Sequence, residues 1–257
     1  MRKLKVNEIQ EIQVEILKKV ASFCDKNKIA YFLGCGTLCG AIVENGFFAW
    51  DNDVDILMPR DEYEKFIKLF SYDGLNLLTC EKKDYYYPFA KVVDNRTIAY
   101  ECKNDIDGYG VFIDIFPLDG VPNKFYLYMI KPIKYLMLSK WGCYLKKRNL
   151  FIKVMYKIIS FITKPIPANY FAKILNNICR KYSIKDYKKS GIVVHYRKEC
   201  ELVDSKIFDK RVKVLFEGNK FYAPYRYDDY LKSLYGDYFV EDEHETKEFF
   251  RAFWKKG

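Results

Sequence analysis

A chain of 257 residues, half of them hydrophobic, is long enough for one substantial core or a core with a small appendage, and its net charge is +10. No stretch approaches 18 uncharged apolar residues, and Glu8 and Glu11 interrupt the basic N-terminus before an apolar run forms, so a secreted or membrane-spanning protein is not expected. Eight scattered cysteines without a C-x-x-C pair, and only two histidines, His195 and His244, point to reduced thiols in a cytoplasmic protein and against a Cys/His zinc site or a Ser-His triad.

Residues 7 to 28 place Ile9, Ile12, Ile16, Val20 and Phe23 at helical spacing, which predicts an amphipathic helix packed on the core. Residues 29 to 33 read as a short strand, 34 to 36 as a glycine turn and 37 to 43 as a helix. Backbone N–H groups and the Thr37 hydroxyl would then sit at a helix start, where anions such as phosphate bind. A glycine turn without a ligand is the alternative for this element taken alone.

Asp51, Asp53 and Asp55 follow at alternate positions. Residues 53 to 56, continued by Leu57 and Met58, read as a strand, so Asp53 and Asp55 project to one face. Like charges at that spacing repel, and a divalent cation resolves the conflict; oxygen-only ligands favour Mg²⁺ or Mn²⁺. The competing reading is a solvated acidic strand edge. A second amphipathic helix is expected from about 61 to 71, then strands over 75 to 80, 86 to 93 and 97 to 102. Lys91 lies in the second of these, either facing solvent or supplying a charge to phosphate. Residues 110 to 117 form a strongly apolar strand around a single acid, Asp114, which needs a cation or a hydrogen-bonding partner and is the natural third metal-site carboxylate.

From 125 to about 189 the pattern is helical, aromatic and basic, broken at Pro132, Pro165 and Pro167. Residues 121 to 190 hold 16 Lys and Arg against one acid, Asp186, a net of +15, which leaves 28 bases and 33 acids elsewhere. Basicity confined to one segment suggests a polyanionic partner or an anionic membrane face rather than nucleic acid. Lys146, Lys153, Lys157 and Lys164 would line one helix face among apolar residues. That suits an interfacial helix, and equally a core helix whose lysines reach out to solvent. The C-terminal part reads as a hairpin, 211 to 216 and 220 to 223, then a helix from 227 to 235 stopped by Gly236.

A glycine turn with a hydroxyl, a D-x-D strand and a later strand bearing a third acid make the pattern of the nucleotidyltransferase fold. In detail the chain resembles the LicD family of phosphocholine transferases, relatives of fukutin-type enzymes. The matching blocks are Gly36-Thr-Leu-Cys-Gly-Ala41, Trp50-Asp-Asn-Asp-Val-Asp55, Met58-Pro-Arg60, Phe89-Ala-Lys-Val92, Asn95-Arg-Thr97 and Gly110-Val-Phe-Ile-Asp-Ile-Phe-Pro-Leu-Asp119, with Phe216-Glu-Gly218 and Leu234-Tyr-Gly-Asp237 near the C-terminus. The chain departs from that pattern at Val43-Glu44, Ala49 and Asn52.

The resemblance implies a single α+β catalytic domain: a mixed-sheet core over 1–120 and 191–257, flanked by helices, with a basic helical insertion over about 121–190. It implies Mg²⁺ (or Mn²⁺) held by Asp53, Asp55 and Asp114, which are also the catalytic residues. Gly36, Thr37, Trp50, Lys91 and Arg96 are the expected substrate-binding residues, with Trp50 and Tyr85 to Tyr87 offering rings to a quaternary ammonium. The expected donor is a CDP-alcohol, most simply CDP-choline. The expected acceptor is a sugar hydroxyl of a cell-surface glycan precursor, free or lipid-linked, such as lipopolysaccharide, teichoic acid or capsule, with release of CMP. Two rival classes share the three acids: a nucleotidyltransferase proper, moving NMP to a small molecule or RNA, and a non-catalytic membrane-associated binding module.

Overall fold

The computed structural model describes residues 1–100, 108–141, 150–195, 201–239 and 250–255. Helix α1, Val6–Lys26, buries Ile9, Ile12, Ile16, Leu17 and Val20 along one face, and Gln13 lies among them. Its start is fixed by Glu8, whose carboxylate accepts the Lys5 N–H at 2.9 Å. Strand β1 is only Phe32–Leu33. Helix α2, Cys35–Val43, starts two residues earlier than the glycines suggest, with Gly34 as its cap and Thr37 inside its first turn.

Strand β2, Asp55–Pro59, leads into α3, Arg60–Leu69. Strands β3, Leu75–Leu78, β4, Ala90–Asp94, and β5, Thr97–Tyr100, precede β6, Phe112–Gly120. The sheet order is β1-β2-β6-β4-β3, in which β2 and β6 are parallel and the other neighbours antiparallel. All nine residues of β6 are buried, as a central strand covered on both faces requires. This is the mixed-sheet α+β fold that the motif order predicts.

Helix α4, Lys124–Trp141, α5, Leu150–Ile162, and α6, Tyr170–Cys179, follow β6. The chain then returns through β7, Lys189–Gly191, paired with the end of β6, and β8, Val203–Asp204. Hairpin strands β9, Arg211–Phe216, and β10, Asn219–Pro224, and helix α7, Tyr227–Tyr235, complete the core side, and β11, Arg251–Trp254, pairs with β5. A large apolar cluster fills the space between α1, the sheet, the hairpin and α7. A second, smaller one, including Tyr126, Ile130, Phe171 and Leu175, lies under α4 and α6. Lys146 falls outside the described residues, and α5 ends before Lys164, so two of the four lysines in the expected stripe, Lys153 and Lys157, belong to α5.

Candidate active site

Parallel pairing sets Asp55 of β2 opposite Asp114 of β6, and antiparallel pairing sets Lys91 of β4 opposite Asp114 on its other side. Residues in register on adjacent strands share a face, so Asp55, Asp114 and Lys91 form one row across three strands. Asp53 precedes β2 rather than lying on it. The chain from 51 to 56 nevertheless alternates, with Asp51, Asp53 and Asp55 partly exposed and Asn52, Val54 and Ile56 buried, so the acids turn outward together.

Lys91 is 1% exposed, which removes the solvated-strand reading. Its Nζ donates to Asp114 Oδ1 at 2.5 Å and lies 3.5 Å from the ring centroid of Phe112 and 4.7 Å from that of Tyr87. A desolvated ammonium is stable only with such partners. The Asp55 carboxyl is pushed well above the usual carboxylate range, first by burial, then by the charges of Asp53 and Asp114, with Lys91 opposing. Asp51 is also raised, by burial, against hydrogen bonds from Asp53 and from the backbone N–H groups of Asp53 and Asn52. Among the described residues no three His, Cys, Asp or Glu side chains are drawn together closely enough to hold an ion. Asp114 is turned towards Lys91 instead.

The start of α2 grips Asp55 at both ends of its peptide. Its N–H donates to Thr37 Oγ1 at 2.9 Å, and its carbonyl accepts the Gly34 N–H at 3.0 Å. Thr37 therefore acts first as a bracket between helix and strand. A Cβ on Gly36 would stand 3.1 Å from Asp51 Oδ2, so glycine lets the acidic loop lie against the helix start. Cys35 adopts φ 47°, a left-handed conformation rare for a residue with a side chain. Its N–H donates to Tyr230 Oη of α7 at 3.4 Å, and its Sγ lies 3.8 Å from the same oxygen. Burial pushes the Cys35 thiol well up, and the neighbouring Asp55 adds to the effect.

Gln13 of α1 donates to the carbonyls of Asn52, at 2.8 Å, and Phe112, at 3.1 Å, tying the acidic loop to β6. Sequence reasoning missed Gln13, Cys35 and Tyr230. Only Gln13 left a signal: a polar side chain on the apolar face of an amphipathic helix.

Two expected binding residues make contacts with residues outside the row. Arg96 donates to both oxygens of Asp94 and, through Nη2, to Glu15 at 2.9 Å, so its guanidinium braces the β4–β5 turn against α1. Trp50 stacks on Phe48 with centroids 5.1 Å apart and planes 6° from parallel. Tyr85 and Tyr86 are core residues, and the rings gathered at an ammonium surround Lys91. His195 packs edge-on against Phe89, as a structural histidine does, and His244 lies outside the described residues.

A capped helix start facing acids on a parallel strand pair of a mixed sheet defines a nucleotidyltransferase-type domain. The family model described as LicD/FKTN/FKRP, nucleotidyltransferase domain, matches residues 28–136, which contain Cys35, Asp55, Lys91 and Asp114. The chain is 32% identical, over 93% of its own length and 92% of the relative's, to the lipopolysaccharide cholinephosphotransferase LicD of Haemophilus influenzae. The chain belongs to the LicD family.

Proposed function

We propose that this protein is a cholinephosphotransferase that moves phosphocholine from CDP-choline to a sugar hydroxyl of a surface glycan, releasing CMP. The observation that carries the reading is the row of Asp55, Asp114 and Lys91 across β2, β6 and β4, beside the helix start that grips Asp55. The relative named as a lipopolysaccharide cholinephosphotransferase supports the transferred group and the kind of acceptor.

Asp53 and Asp55 are the carboxylates that would hold Mg²⁺ or Mn²⁺, and Asp114, turned towards Lys91, would join them only by leaving that ion pair. The donor set is all oxygen, and the like charges that push the Asp55 carboxyl up are what a hard cation relieves. When bound, the ion supplies positive charge against the pyrophosphate and the departing CMP. Asp114, its charge steadied by Lys91, accepts a hydrogen bond from the acceptor hydroxyl and orients it. The hydroxyl oxygen bonds to the phosphorus of phosphocholine as the bond to the CMP oxygen breaks, and its proton passes to a carboxylate of the row. In the first turn of α2 the N–H groups of Gly36 and Thr37 are the ones suited to phosphate oxygens.

The test is a donor panel of CDP-choline, CDP-ethanolamine, CDP-glycerol and CDP-ribitol, with CTP alongside. Preferential CMP release from CDP-choline is expected. Pyrophosphate from CTP without CMP from any diester donor would establish the nucleotidyltransferase reading instead.

A further inference from the structure

Helices α4 and α5 both present large apolar side chains to the outside. On α4, Phe125, Tyr128 and Met129 are 59–70% exposed, opposite the face that buries Tyr126 and Ile130. On α5, Ile158, Phe161 and Ile162 are 54–79% exposed. Both triplets fall at i, i+3 and i+4, so each forms one continuous stripe on its helix. Stripes of this size mark a surface made to be covered.

The charge around them identifies the cover. Lys124, Lys131, Lys157 and Lys164 are exposed at or beside the stripes, and the only acid from 121 to 190, Asp186, lies beyond α6. Lys131 Nζ stands 4.2 Å from the Tyr128 ring centroid, its stem lying along the apolar face. A second copy of this chain would set one +15 segment against another, which disfavours self-association. No described helix is long and apolar enough to cross a membrane, so the segment is suited to lie in the interface, not to span it. We infer that α4 and α5 dock on an anionic lipid bilayer, with Phe125, Tyr128, Phe161 and Ile162 at headgroup depth and the lysines on lipid phosphates. The inference deepens the reading above by naming the surface that presents the acceptor, and it is measured without turnover, so either can fail alone.

The test is co-sedimentation of the full chain with vesicles of phosphatidylcholine and phosphatidylglycerol in equal parts, against phosphatidylcholine alone. Wild type should pellet with the anionic vesicles and be released as salt rises from about 0.1 M to about 1 M, where the Debye length falls from about 10 Å to about 3 Å. Lys157→Gln with Lys164→Gln should weaken partitioning about 25-fold, at about fivefold per cation. Phe161→Ser with Ile162→Ser should weaken it at least tenfold at constant salt, with an unchanged circular dichroism spectrum. Equal pelleting with both vesicle types overturns the inference, as does binding indifferent to both variants. It is also overturned by a concentration-dependent dimer, or by capture of an acidic polypeptide in place of vesicles, abolished by Phe161→Ser with Ile162→Ser.

Discussion

Asp55 is where folding and chemistry pull against each other. Its carboxyl titrates above its unfolded value because burial and two neighbouring carboxylates disfavour the ionised form. Its contribution to stability is therefore full below the unfolded carboxylate pKa of about 4 and is lost as pH rises through the folded value. Asp55→Asn should accordingly raise Tm near neutral pH, by about 2–4 °C for each kcal/mol gained, while removing turnover. A melting series of wild type and variant from acid to neutral pH reads this directly, and the two curves should separate as pH rises. Lys91 has the opposite character. Lys91→Ala leaves Asp114 buried without its cation and should cost about 3–5 kcal/mol in denaturant unfolding. Lys91→Met with Asp114→Asn should recover most of that loss and remain inactive, since it removes both charges together. The alternation of Asp51, Asp53 and Asp55 makes their shared face legible in the sequence. The depth of Lys91 is not legible, because a lysine between Ala90 and Val92 fits an exposed or a buried row equally well, and its partner lies 23 residues away. Arg96 eluded sequence reading for the same reason: Glu15 is 81 residues distant.

At the scale of elements, the start of α2 positions the acid strand. Thr37→Val deletes the acceptor for the Asp55 N–H and strands a buried donor, at a cost of about 1–3 kcal/mol. It should lower kcat more than it raises the KM for donor, and Thr37→Ser should restore both; a change confined to stability would make Thr37 a purely structural bracket. The helix boundary was misplaced from sequence because Gly34, not Gly36, is the cap, and the chain enters α2 through a left-handed Cys35 that no local pattern announces. The hairpin and α7 were readable to within a residue, since Gly218 and Gly236 punctuate them and the strand alternation is clear. What they do for the site was not readable: Tyr230 reaches Cys35 across 195 residues.

Across the whole molecule, a second buried ion pair separates structure from catalysis. Arg60 meets Asp119 through two bonds of 2.6 and 2.7 Å and donates to Asn176 Oδ1 at 2.7 Å, joining α3, β6 and α6. Asp119 lies five residues beyond Asp114 on β6, about 17 Å away and on the other face. Asp119→Ala should therefore destabilise by about 3–5 kcal/mol, measured by urea unfolding, yet leave turnover per folded molecule unchanged at low temperature. The mixed-sheet core was legible from motif order, and the confinement of charge to 121–190 was legible by counting. The outward apolar stripe of α4 was not, because a helix that is hydrophobic around most of its circumference gives little periodicity to say which side is covered. The most direct measurement of the central claim is CMP release from CDP-choline with a lipopolysaccharide acceptor, run on wild type and Asp55→Asn side by side. CMP and phosphocholine-bearing acceptor are expected from wild type and neither from the folded variant. Equal turnover by the two proteins, or pyrophosphate from CTP with no CMP from CDP-choline, would contradict that claim.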